Sequence, residues 1–284
     1  MTASKIYMEL TEQKRKAEAF RTMHTQGEVL VLANVWDVAS ARLIEDAGFP
    51  AIATTSAGIA FAHGFPDGQK ISLKQMLASV AKIAAAVHVP VTADVEAGYG
   101  STPDDAARTA RGVIEAGAVG MNFEDATGDS ARPLFNMPLQ LERIHAIREA
   151  SHAADVPLVL NARTDVYLAQ VGDPATRYDE TVRRLSSYRD AGADCVFVPG
   201  VRDPEIIRRL VSDLRCPVNV LAVPGAPSTR ELADIGVRRI SLGSGPMRAA
   251  MGVLLRLADE LKTSGTYSQM EGAPSHAEMN KLMS

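Results

Sequence analysis

The sequence predicts a (β/α)8 barrel of the TIM type, with a helix ahead of it and a helical tail behind. Three observations carry this expectation. Short apolar, β-prone runs alternate with amphipathic segments along the whole chain, which demands parallel strands joined by helices. These strand–helix units number eight. The helix ends also rhyme, reading EDAG-FPAI, EAGA-VGMN, DAGA-DCVF and DIGV-RRIS. In each, a glycine supplies a left-handed cap and the next strand follows almost at once. A doubly wound open sheet is the competing architecture, but no GxGxxG opens a helix, which weakens its dinucleotide-binding form.

Residues 8–24 read as a polar, amphipathic leading helix, and 30–37 as strand one, followed by a helix that Gly48 stops. Strand two is AIATTSAG (51–58), with its helix at 71–87. Strand three is the apolar run that opens VPVTADVEAGYG (89–100). Thr102 is placed to cap the next helix, with Pro103 at its first position. Strand four is VGMNFED, and PLQLERIHAIREASHAA is its helix. Strands five to eight are PLVLNARTD, CVFVPGV, CPVNVLAV and RRISLGS. The helices beside them lie at 176–192, 203–214, 228–236 and 246–261. One barrel unit over 1–284 is expected, with its core at 25–262 and the tail 263–284 at an oligomer interface.

Composition excludes several classes of function. A formal charge of −4 without a basic cluster argues against a nucleic-acid partner. Cys195 and Cys216 lie in apolar surroundings, which fits a reducing compartment and buried thiols. The opening residues lack the apolar core of a secretory signal, and no run is long enough to span a membrane. A cytoplasmic location is expected.

Active sites of this fold sit at the C-terminal ends of the strands. Those ends carry Trp36 and Asp37, then Ser56, Ala57 and Gly58, then Asp94 and Glu96. Glu124 and Asp125 follow, then Arg163 and Asp165, Asn219, and Ser241 with Gly243. Asp94 and Glu96 stand at i and i+2 of a strand and so face one side. Two such charges repel unless a cation separates them, and Mg²⁺ or Mn²⁺ takes carboxylate oxygens. Water or an arginine is the alternative partner. Small residues at 56–58 leave backbone N–H groups for an anionic oxygen. Four acids on strands three and four beside one arginine suit a small oxyacid guest.

These residues resemble the isocitrate lyase/phosphoenolpyruvate mutase superfamily, in its phosphoenolpyruvate mutase-like branch. LANVWDVASARLIEDAGFPAI, TTSAGIA with GFPD, ADVEAGYG, NFED, LNARTD and PVNVLAVPG carry the resemblance, over residues of about 20–260. The family pattern at strand three is Asp-x-Asp followed by Thr-Gly-(Tyr/Phe)-Gly. Here Glu96 replaces the second Asp and Ala97 the Thr. The resemblance implies Mg²⁺ at Asp94, Glu96 and Glu124, and a chelating 2-oxo or 2-hydroxy carboxylate substrate. It also implies Arg163 at the substrate oxygens, the 56–58 turn at its carboxylate, and Asp67 from the loop after strand two. Family members are commonly tetramers that exchange the last helix.

One departure bears on chemistry. Lyase branches carry a cysteine in Lys-(Lys/Arg)-Cys-Gly-His after strand four, whereas this chain reads ATGDSARPLFNM at 126–137. Only Arg132 and Asn136 remain there to meet a substrate. The leading expectation is therefore a Mg²⁺-dependent C–C lyase or decarboxylase for a small 2-oxo or 2-hydroxy di-acid, using Arg163, Asp67, Glu124 and Arg132. Trp36, Ser56, Ala57, Gly58, Asp94, Arg163 and Asn219 are the expected substrate contacts. The alternatives are phosphorus–carbon chemistry, as in phosphonopyruvate mutase or hydrolase or carboxyphosphonate transfer, and a non-catalytic oxoacid-binding barrel.

Overall fold

The computed structural model describes residues 3–284, with side chains from Leu10 onward. Met1 and Thr2, included in the expected 1–284 unit, lie outside the described residues. Helix α1 (Ala3–Thr25) precedes a first strand that is broken into β1 (Leu30–Leu32) and β2 (Asn34–Val35). Then come α2 (Val38–Asp46), β3 (Ile52–Thr54), α3 (Ser56–Ala62), α4 (Leu73–Ala86) and β4 (Val91–Asp94). The next units are α5 (Pro103–Glu115) with β5 (Gly120–Glu124), and α6 (Met137–Ala153) with β6 (Val159–Arg163). They are followed by α7 (Arg177–Asp190), β7 (Cys195–Val198), α8 (Pro204–Leu214) and β8 (Val218–Leu221). Helix α9 (Thr229–Ile235), β9 (Arg239–Ser241) and α10 (Gly245–Thr263) complete the ring, and α11 (His276–Met283) ends the tail.

All strands pair in parallel, in the order β1-β9-β8-β7-β6-β5-β4-β3-β2. Because β1 joins β9 while β2 joins β3, both ends of the ladder belong to one stretch of chain, and the sheet closes into a TIM-type barrel. The expected eight strands thus appear as nine segments, and Asn34 explains the break. Its Oδ1 accepts from the N–H groups of Leu242 (2.7 Å) and Gly243 (2.9 Å), and its Nδ2 donates to the Thr54 carbonyl (2.8 Å). A side chain stands in for ladder bonds where strand one passes from one neighbour to the other.

A second difference lies after strand two. Residues 56–58 were expected to end the strand, but Thr55 caps a short helix instead, its Oγ1 accepting from Gly58 N. The hydroxyl before a run of small residues is an N-cap signal that outweighs the strand reading. Elsewhere the expected caps form. Thr102 makes a capping box with Asp105 ahead of Pro103, and Gly236 ends α9 in the left-handed region at φ 101°.

The barrel interior is polar towards its N-terminal end. Arg239 is fully buried there, donating to Asn122 Oδ1 (3.1 Å) and meeting His24 Nε2 (3.3 Å). Asn161 donates to the same Asn122 oxygen (2.7 Å). Helix α1 closes this end with Phe20 and His24, whose rings meet edge to face at 4.7 Å. Gly120 opens β5 beneath them, where a Cβ would lie 2.8 Å from the Phe20 ring.

The tail folds back on the barrel, where Arg42 of α2 donates to the Leu282 carbonyl of α11 (2.9 Å). Helix α10 leaves Leu254 and Leu255 57% and 72% exposed. No described helix is long and apolar enough to cross a membrane.

Burial, and then the Arg239 cation, lowers the His24 pKa from its ordinary 6.5 to about 3. The unfolded chain takes up this proton near pH 6.5, whereas the folded chain does so only near 3. The stability that neutral His24 confers is therefore complete above pH 6.5 and is lost as pH falls towards 3. In urea unfolding between pH 6 and 4, wild type should lose up to ~1.4 kcal/mol per pH unit more than His24→Gln. Equal slopes would show that His24 is protonated in the fold.

Candidate active site

Strand three delivers its acids through a tightly wound turn. Asp94 ends β4, and Glu96, Gly98 and Tyr99 then take left-handed backbone at φ 51°, 83° and 54°. The turn is held from behind. Thr109 Oγ1 of α5 donates to the Gly98 carbonyl (2.8 Å), and Arg143 of α6 donates to the carbonyls of Ala97 and Gly100. Gly98 is required here, since a Cβ would lie 2.7 Å from the Phe123 ring as well as needing a strained φ.

The two carboxylates are each half satisfied. Asp94 Oδ2 accepts from both the N–H and the hydroxyl of Ser56 (2.9 and 2.8 Å), and the Asp94 N–H reaches Thr54 Oγ1. Glu96 Oε2 accepts from Gln69 N (2.8 Å). Asp94 Oδ1 and Glu96 Oε1 remain buried without a hydrogen-bond partner. Burial, then the charges of Asp94 and Asp67, pushes the Glu96 carboxyl up to about 8.

Strands four and five face them with one clamped cation. Glu124 and Arg163 are register partners and form an ion pair at 2.7 Å. Asp165 grips the same guanidinium through Nε and through Nη2 (2.8 Å). Burial disfavours the charge on Arg163, but Glu124 and Asp165 more than offset this and raise its pKa. Burial likewise pushes the Glu124 carboxyl up, against the pull of Arg163. A guanidinium has five N–H donors; Asp165 takes two of them in hydrogen bonds, and Glu124 meets Nη1 as an ion pair.

Asp125 was grouped with these acids, and the structure corrects that. Successive strand residues point to opposite faces, so Asp125 turns outward where Glu124 turns inward. Behind the barrel wall it accepts from Thr164 Oγ1 (2.7 Å), Asp165 N (3.0 Å), Tyr188 OH (2.7 Å) and Arg184 Nη1 (3.1 Å). It fixes the backbone of Asp165 and does not face the acids of the barrel mouth.

Other expected contacts divide. Asp67 is solvent-exposed above the acids, and desolvation by its loop, then the Asp94 charge, raises its carboxyl. Trp36 is half-buried, and its Cβ would lie 3.1 Å from a Cβ at Gly58. Ser56, Ala57 and Gly58 form the first turn of α3 rather than a free loop, and the Ser56 N–H is already engaged by Asp94. Asn219 does not end its strand. It is fully buried at the level of Arg239, exchanging hydrogen bonds with Ser241 (3.2 and 3.3 Å). The Arg132 side chain is 86% exposed and pairs with Asp129 at 3.5 Å, away from the acids. Cys195 is a core residue, whereas Cys216 is only partly buried against the core; burial pushes their thiols up to about 12 and 11.

Gln69, Arg143 and Arg184 were not anticipated. The signal for Arg143 was available: Gln140, Arg143, Ile144 and Ile147 share one buried stripe of α6, where two polar residues stand at core positions.

The donor set suits a hard cation. Two buried, unpartnered carboxylate oxygens attract one. Among the described residues, no group of three or more His, Cys, Asp or Glu side chains is arranged to ligate an ion directly. Mg²⁺ does not need that, since it is commonly held by one or two carboxylates with water and substrate. Asp94 and Glu96 could hold it, with Glu124 engaged by Arg163.

Comparison with known proteins places this geometry among relatives. The phosphoenolpyruvate phosphomutase family model matches residues 20–262. An uncharacterized protein of Mycobacterium tuberculosis H37Rv is 35% identical over 89% of this chain and 95% of its own length. The 2-methylisocitrate lyase of Escherichia coli K12 is 28% identical, with 89% and 86% covered. The oxaloacetate decarboxylase of Bradyrhizobium sp. ORS 278 is 26% identical, with 94% and 92% covered. Among solved structures, a Burkholderia cenocepacia J2315 protein provisionally assigned as a lyase/mutase superposes with TM-score 0.91 at 41% identity, covering 96% of this chain and 97% of that one. A 2,3-dimethylmalate lyase gives 0.84 at 28% identity, with 95% of each chain covered.

Removing the clamped cation should cost stability. Arg163→Met leaves Glu124 and Asp165 buried without it, which should lower unfolding free energy by ~3–5 kcal/mol at pH 7. Urea denaturation reads this directly, and a loss under ~1 kcal/mol would mean a solvent-screened pair.

Proposed function

The chain belongs to the phosphoenolpyruvate phosphomutase family, within the isocitrate lyase/phosphoenolpyruvate mutase superfamily, and from that membership we propose a Mg²⁺-dependent C–C lyase or decarboxylase. Its substrate is a small 2-oxo or 2-hydroxy di-carboxylate that reacts through an enolate-like intermediate. The observation that supports this most is the pair of unpartnered oxygens, Asp94 Oδ1 and Glu96 Oε1, within electrostatic reach of Arg163. Relatives that bear the names 2-methylisocitrate lyase and oxaloacetate decarboxylase support the reaction class.

Mg²⁺, held by Asp94 and Glu96, would supply Lewis-acid stabilisation of negative charge on the substrate oxygens. The chain's own groups supply the rest. Arg163, fixed by Glu124 and Asp165, would stabilise the developing enolate charge electrostatically. Asp67 stands above the acids and orients substrate or its water. When the C–C bond breaks, its electron pair enters the enolate, and a proton from water completes the product. Loss of CO₂ needs no donor on the 126–137 loop, which has no Cys, Lys or His. Phosphorus–carbon chemistry is less well supported, because Arg132, the cation that loop could offer a phosphoryl group, is exposed and paired with Asp129.

With Mg²⁺, oxaloacetate or an alkylated malate should turn over, while isocitrate, 2-methylisocitrate and phosphonopyruvate should react poorly. Asp94→Ala should abolish turnover together with the Mg²⁺-dependent rise in melting temperature. If calorimetry on wild type finds no Mg²⁺ or Mn²⁺ effect even with oxalate present, the metal reading fails.

We also propose a homo-oligomer, a tetramer, built on α10 and the tail, since Met251, Leu254, Leu255, Leu261, Tyr267 and Met270 all stand exposed there. Light scattering at micromolar concentration should give a multiple of the 30.3 kDa chain. A monomeric mass would rule this out.

A further inference from the structure

Two buried arginines meet at Phe135, the residue where the 126–137 loop rejoins the barrel. Arg143 is fully buried and has no carboxylate pairing with it among the described residues, and burial lowers its pKa to about 10. In place of a countercharge it has carbonyls and aromatic faces. Its guanidinium donates to the carbonyls of Ala97 and Gly100 and to Gln140 Oε1 (2.8 Å). It lies 4.7 Å from the Phe123 ring centre and 4.1 Å from that of Phe135. Gln140 in turn donates to the Glu124 carbonyl (3.3 Å).

Phe135 itself is held at both backbone atoms. Its N–H donates to the Asp125 carbonyl (2.8 Å), and its own carbonyl accepts from Arg184 (3.0 Å). Arg184 also binds the Asp125 carboxylate that fixes Asp165. The loop beyond it is an ordered hairpin, with Ala126 bridged to Leu134 and Thr127 N–H donating to the Pro133 carbonyl (3.0 Å).

We propose that Arg143 is the positioning residue of the acid-bearing turn 96–100, and that the Phe135 ring couples the 126–137 loop to it. The ring face is one of two that stabilise a buried cation lacking a carboxylate, and π faces attract such cations. When the loop shifts Phe135, Arg143 loses that face, and its grip on the Ala97 and Gly100 carbonyls loosens. The left-handed turn that presents Glu96 beside Asp94 then relaxes. Closure of the loop and readiness of the carboxylates become one event. This coupling is independent of whether the acids hold a metal.

The test is amide hydrogen exchange on the metal-free chain, comparing wild type with Phe135→Leu and Phe135→Tyr. The Gly98 and Tyr99 amides report, being bonded to the Val95 carbonyl and to Gln69 Oε1. Phe135→Leu keeps apolar bulk without a π face, so exchange at these two amides should rise about tenfold, between the factors for an exposed and a fully desolvated cation–π contact. Phe135→Tyr, which keeps the ring, should restore wild-type protection. Unchanged exchange at Gly98 and Tyr99 in Phe135→Leu would overturn the proposal. Equal acceleration across the whole barrel would also overturn it, by making the ring ordinary packing. In a second measurement, calorimetry with Mg²⁺ and oxalate should show affinity about tenfold weaker in Phe135→Leu and unaltered in Phe135→Tyr. Absence of binding to wild type would sink the proposed metal chemistry alone, because the exchange result needs neither metal nor turnover.

Discussion

Bringing Asp94, Glu96, Glu124 and Asp165 into one barrel mouth is unfavourable twice over, through desolvation and through mutual repulsion. The Arg163 guanidinium makes the arrangement tenable. It is shared between Glu124 and Asp165, whereas Asp94 and Glu96 have no cation paired with them. That asymmetry is the functional content of the site. One pair of carboxylates is structurally satisfied, and the other keeps an open oxygen on each member. A cation would relieve them, and so would a proton on Glu96, whose carboxyl already sits at about 8.

Strand alternation divides the polar residues of this region into two sets that sequence proximity would merge. Glu124 faces the mouth, and Asp125, one residue on, faces α7 and holds Thr164, Asp165, Tyr188 and Arg184. The outer set acts on the inner one through the backbone of Asp165. Arg143 does the same for strand three, from behind the turn that carries Glu96. Rigid support from outside the barrel wall suits a site whose carboxylates would otherwise move apart.

Much of this was legible in the sequence, where the local signal and the tertiary outcome agree. The eight-unit alternation, the glycine stops and the Thr102 cap all follow from periodicity and turn chemistry. What was not legible depends on partners distant in the chain. The break in strand one requires Leu242 and Gly243, some 208 residues from Asn34. Asn219 looked like a strand-end residue because strand ends are uncertain by a few residues, and its side chain is instead fully buried and bonded to Ser241. Ser56 was read as an anion donor because the sequence does not show that Asp94 already occupies it.

Glu96 shows what a single methylene does in such a setting. An Asp at this position would hold its carboxylate closer to the backbone. Glu96, on left-handed backbone, reaches the N–H of Gln69, and Gln69 in turn accepts from Tyr99 N (2.6 Å). The added length therefore ties the loop bearing Asp67 to the acid turn and leaves a single Glu96 oxygen open. The 126–137 loop reaches the same turn from the other side through Phe135 and Arg143. Both loops that could cover the mouth thus converge on residues 96–100. The replacement of Asp by Glu exchanges a potential ligand oxygen for a structural link, and that exchange makes the turn sensitive to the loops above it.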